Sequence, residues 1–124
     1  MPLIESAGCV FDAAQLERTH GYQLVDPVDR EAFVNHIHLA LSDQTAVERV
    51  IHNWTAEMRL RWPDRTFRIY RVTDETEVTI RFHQVRPGVA NWCEAGVPGV
   101  EVFNAGPDLS NLGVAARTAR HPGG

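Results

Sequence analysis

Residues 35–41 read Asn-His-Ile-His-Leu-Ala-Leu, and the fold turns on whether they end a helix or form a strand. On a helix, at about 100° per residue, His36 and His38 lie roughly 200° apart around the axis. On a strand they share a face. The preceding residues favour the helix. Asp26-Pro27 opens one well, because Asp can cap and proline at the first helical position gives up no intrahelical hydrogen bond. Phe33, Val34, Ile37, Ala40 and Leu41 then recur at helical spacing. Ser42-Asp43 stops the element and can cap the next. A helix over 28–41 is therefore expected, with two histidines that cannot share a metal ion.

Residues 44–62 are the clearest helix in the chain. Val47, Val50, Ile51, Trp54, Met58 and Trp62 follow i, i+3, i+4 spacing, with Glu48, His52, Glu57 and Arg59 largely elsewhere. Pro63 ends it, since proline supplies no amide donor and crowds the preceding turn. Upstream, "DAAQLER" at 12–18 suits a short first helix and "HGYQLV" at 20–25 a short extended piece.

Downstream the period changes to two. Residues 66–72 alternate Phe67 and Ile69 against Arg68 and Tyr70, and 77–85 alternate Val78, Ile80 and Phe82 against Thr79, Arg81 and His83. The "TDET" between them fits a hairpin loop. "VANWCE" at 89–94, after Pro87-Gly88, is a candidate third strand, and 100–103 follow the turn "AGVPG". The expected fold is α+β: N-terminal helices, including a long amphipathic one over about 43–62, packed on a C-terminal antiparallel β-meander of three to four strands. Phe67, Ile69, Val78, Ile80 and Phe82 should face Trp54 and Met58. Residues 1–106 form one domain in this reading, and 107–124, small and polar, a loosely docked or mobile tail.

With 124 residues, 44% hydrophobic and 23% charged, the chain can bury a core without metals or disulfides. The net charge is −4. A nucleic-acid partner is not expected, because phosphate neutralisation needs a basic excess. All 12 basic residues are arginine, which excludes lysine Schiff-base chemistry and a P-loop lysine. Cys9 and Cys93 are too few and too far apart for a disulfide framework or a paired-thiolate zinc site. The start "MPLIESAGCVF" has no signal-peptide pattern, and no apolar run approaches the ~20 residues that span a bilayer. A soluble, cytoplasmic protein is expected. The sequon Asn53-Trp54-Thr55 then carries no meaning.

As a strand, His36 and His38 would resemble the His-x-His pair of cupin-like metal sites. The helical reading separates them, and no His-Glu-x-x-His pattern supplies a further ligand. Glu48 and His52 at i, i+4 read as an exposed helix pair. No metal and no cofactor is expected. "MPLI" resembles the start of the tautomerase superfamily, which implies a catalytic Pro2. The match covers four residues, and "ESAGCVFDAAQLER" turns toward a helix where that family continues a strand. Gly123-Gly124 resembles the reactive end of ubiquitin-like and sulfur-carrier proteins, but helices before strands depart from their β-grasp order.

Two candidate sites remain. The outward face of the hairpin carries Arg68, Tyr70, Arg81 and His83, residue types that interfaces use for area and directed hydrogen bonds. RNA readers place more aromatic rings on such a face and sit in more basic proteins. Cys93, beside Glu94, can act as a nucleophile if His83 or another imidazole lowers its pKa. With no convergent catalytic set, the leading expectation is a small protein-binding module (an inhibitor, adaptor or accessory subunit of the kind bacteria and phages encode) with self-association open. The alternative is a small enzyme using Cys93 with a histidine base.

Overall fold

The computed structural model describes residues 3–19 and 26–107. It opens with a hairpin in which β1 (Leu3–Ser6) pairs antiparallel with β2 (Cys9–Asp12), Leu3 opposite Asp12 and Ser6 opposite Cys9. Ala7 and Gly8 between them take positive φ, 52° and 82°, and two such residues give a tight turn whose twist matches the strands. Leu3 therefore begins a strand where a turn toward a helix was expected; Pro2 lies outside the described residues. Asp12 ends β2 and caps α1 (Ala13–Arg18), accepting from the Ala14 and Gln15 amides.

Helix α2 (Pro27–Val34) begins where Asp26-Pro27 predicts, with the Asp26 side chain accepting from the Val28 and Asp29 amides. It does not run to residue 41. Asn35 stops it, because its side chain is committed across the fold: Oδ1 accepts from the Asp12 amide at 2.8 Å and Nδ2 donates to Val10 O at 2.9 Å. The chain then forms β3 (Ile37–Ala40). The helical reading of 28–41 is thus corrected. Ile37 and Leu39 pack on the core, two apart, with His38 between them on the other side of the strand.

Helix α3 (Gln44–Arg61) is followed by β4 (Phe67–Thr73), β5 (Glu77–Gln84) and β6 (Val100–Ala105). The four-stranded sheet has the order β3-β5-β4-β6, with every neighbouring pair antiparallel. The protein is α+β, with one long helix against this sheet. The expected order of helices then strands is only partly matched, since α3 sits mid-chain with strands on both sides. Nor is the sheet a simple meander, because β6 follows β5 but pairs with β4. "VANWCE" is not a strand: the Trp92 and Cys93 amides donate to side chains, His83 Nε2 and Tyr70 Oη, and not to a neighbouring strand.

The core forms as the alternation predicts. Val47, Trp54 and Met58 of α3 meet Phe67, Ile69, Val78, Ile80 and Phe82, joined by Leu3, Val10 and Ala105. The rings of Trp54 and Phe82 meet edge to face, 4.7 Å between centroids. Glu31, fully buried, fastens the opening hairpin to the sheet. Its carboxylate accepts from the Val10 amide (2.7 Å), the Gln84 amide (3.0 Å), Gln84 Nε2 (2.7 Å) and Arg86 Nη1 (2.7 Å). At the end of β6, Gly106 has φ 105°, and a Cβ there would stand 2.1 Å from Arg65 O, so no other residue fits this approach. The expected extended piece at 20–25 and residues 108–124 of the expected tail, with Gly123-Gly124, lie outside the described residues. Among the described residues no helix is long and apolar enough to cross a membrane.

Candidate functional site

The β4–β5 register sets Arg68 opposite His83 and Tyr70 opposite Arg81. The four side chains therefore share one face, as the period of two requires. Most of that face does not meet solvent, and the expectation that it does is corrected for Arg68, Tyr70 and His83; Arg81 is half-buried. Arg68 is 9% exposed and Tyr70 and His83 are 0% exposed, because residues 91–93 lie over them and α2 covers the side nearer Arg81. The covering segment is irregular, so no periodicity announces it.

A hydrogen-bond network joins this face to its cover. Tyr70 Oη stands 2.8 Å from His83 Nε2 and receives Arg68 Nε at 3.0 Å and the Cys93 amide at 3.3 Å. Cys93 O accepts from Arg68 Nη2 at 3.1 Å and lies 3.2 Å from the Tyr70 hydroxyl. His83 Nδ1 is 2.8 Å from Gln84 O. A carbonyl only accepts, so the proton of His83 sits on Nδ1 and Nε2 accepts from Tyr70 and from the Trp92 amide at 3.2 Å. Burial raises the Tyr70 pKa, which keeps the phenol a neutral donor. Arg81 lies over the Trp92 ring, 4.3 Å from its centroid, and donates to Ala32 O at 3.2 Å. Its own pKa is lowered by burial.

Compared with known proteins, the chain matches no family model, no curated protein and no solved structure.

Cys93 is half-buried and Glu94 exposed. The thiol Sγ donates to Glu94 O at 3.5 Å, while both His83 nitrogens are engaged by Gln84 O, Tyr70 and Trp92. The hydrogen bonds from Cys93 to Tyr70 come from its backbone, and the thiol's own hydrogen bond goes to Glu94 O. What sequence reading passed over is Trp92, 37% exposed, edge-on to Tyr70 at 5.0 Å and stacked on Arg81. Its position between two Gly/Pro turns was the available signal.

The network predicts a pH dependence. Burial lowers the His83 pKa, with the neighbouring Arg68 and Arg86 adding in the same direction. The unfolded chain takes up a proton near about 6.5, whereas the folded chain resists it. The resulting stabilisation is fully present above that value and lost as pH falls from there toward the folded pKa. His36, also lowered chiefly by burial, adds to the same slope. Thermal melts at pH 7.5 and 5.5 should show a lower midpoint at 5.5. The difference should shrink in His83→Phe; an unchanged difference would remove His83 from the account.

Proposed function

We propose that this protein is a small soluble, cytoplasmic protein-binding module whose contact surface is the 88–99 segment, with Trp92 as its anchor. Arg68, Tyr70, Arg81 and His83 hold that surface from beneath, in place of touching the partner directly. The observation that carries this reading is that three buried polar side chains, Arg68, Tyr70 and His83, together with the half-buried Arg81, fix the backbone and ring of one irregular, half-exposed segment. A rigid, partly exposed tryptophan beside arginine is the residue pair that dominates interface energies, and pre-ordering its loop lowers the entropic cost of association. Val97, 43% exposed, extends the apolar surface of the same segment.

Affinity capture from the source cells, using wild type and Trp92→Ala, tests the reading. Leu60→Ala serves as a control, since Leu60 is 81% exposed on α3. A protein retained by wild type and by Leu60→Ala should bind Trp92→Ala about 30-fold more weakly once purified, the loss expected for a hot spot of about 2 kcal/mol. Equal affinity of Trp92→Ala for that protein would exclude this surface. In the alternative, a Cys93 enzyme, the folded protein's thiol alkylates rapidly at pH 6.

A further inference from the structure

Strand β3 reopens the question of the two histidines. The rings of His36 and His38 lie 5.0 Å apart between centroids and meet at 89°. Each is held through Nδ1. His38 Nδ1 is 2.5 Å from Glu77 Oε2, with Thr79 Oγ1 at 3.2 Å. His36 Nδ1 hydrogen-bonds the Phe33 carbonyl. That carbonyl only accepts, so the His36 proton sits on Nδ1, and the carboxylate selects the same tautomer in His38. Two Nε2 lone pairs remain, and among the described residues no hydrogen bond engages either. Both residues line one open cleft of about 270 Å³, together with Gln15, Arg18 and Ile37.

We propose that His36 and His38 together bind one divalent first-row transition ion of the zinc class through their Nε2 atoms. Imidazole is a fitting donor for such ions. Two imidazoles on one tetrahedral zinc, at about 2.0–2.1 Å, place their ring centroids roughly 5 Å apart. The observed separation of 5.0 Å equals that spacing, which is also the spacing of an edge-on ring contact. The Nδ1 partners are those that ligating histidines use, a carboxylate for one ring and a backbone carbonyl for the other, which orient the ring and raise its basicity. Among the described residues no group of three or more His, Cys, Asp or Glu side chains surrounds an ion position. The protein therefore fills two positions, and water or an outside donor fills the rest. Arg18, bonded to Gln15 Oε1 at 2.7 Å and His36 O at 3.0 Å, stands on the same wall. Its charge weakens binding of a bare cation and favours an anionic co-ligand such as chloride or a carboxylate.

The test is a zinc chloride titration of the full, untagged chain after chelator treatment, followed by calorimetry and by histidine ring ¹⁵N shifts. One equivalent should bind, with the Nε2 signals of His36 and His38 moving together. His36→Ala or His38→Ala should each abolish binding, and Glu77→Gln should weaken it about 10–100-fold. Circular dichroism checks that each variant folds, and the wild-type ring shifts decide the matter if one does not. Absence of shifts at both rings, or one equivalent still bound by folded His38→Ala, would overturn the proposal.

Discussion

Trp54→Ala is expected to destabilise the protein by roughly 3–5 kcal/mol, the range for deleting a large buried ring. Trp54 is 1% exposed, is wedged between α3 and the sheet, and meets Phe82 edge to face. Its indole nitrogen also donates to Asp12 Oδ2 at 3.0 Å, while Asp12 Oδ1 caps α1. Removing the ring thus opens a cavity and strips one partner from a buried carboxylate at the end of the opening hairpin. Trp54→Phe separates the two effects: it keeps most of the aromatic volume and should lose about 1–3 kcal/mol from the orphaned acceptor. Urea unfolding of the two variants measures both. A loss for Trp54→Ala within ordinary surface scatter, about 0.5 kcal/mol, would contradict the packing of α3.

Glu31→Gln should be comparably severe, about 3–5 kcal/mol, although it changes one atom. Both carboxylate oxygens each accept two donors, and an amide must turn a donor toward one of those pairs. Removing one partner of a buried charged network leaves the others unpaired, which is the costly case. Arg86→Ala should cost less, because its side chain is 21% exposed and Glu31 keeps three donors. Urea unfolding gives the totals, and amide exchange at Val10 and Gln84 shows where the structure loosens. A Glu31→Gln protein within 1 kcal/mol of wild type would mean that the hairpin is fastened by packing alone.

The parts of the fold legible in sequence are those whose periodicity has no competitor. Val47, Trp54 and Met58 on α3 and the alternation through β4 and β5 identified the core pairing directly. Asp26-Pro27 identified the start of α2. Its end was not legible, since Asn35 stops the helix through bonds to Val10 and Asp12, more than twenty residues away. Ile37 satisfies a helical stripe and a strand equally well. The first hairpin was missed because Ala7-Gly8 is a weaker turn signal than Asn-Gly, and because β2 is buried at all four positions, which erases alternation. Sharing of one face by Arg68, Tyr70, Arg81 and His83 was readable from period alone. Its burial was not, since it depends on where the irregular 85–99 segment crosses.

The attachment of the first hairpin to the end of β5 also bears on how the chain is made. Gly8 O accepts from Arg86 Nη2 across 78 residues of sequence, and Leu3, fully buried, belongs to the same core as Phe82. At about 5–20 residues per second, a ribosome takes roughly 4–16 s to synthesise that interval. Throughout it the apolar residues of β1 and β2 have no sheet to dock on. Nascent chains stalled shortly before residue 84 should accordingly hold a protease-sensitive N-terminal segment, which becomes resistant once Arg86 has cleared the exit tunnel.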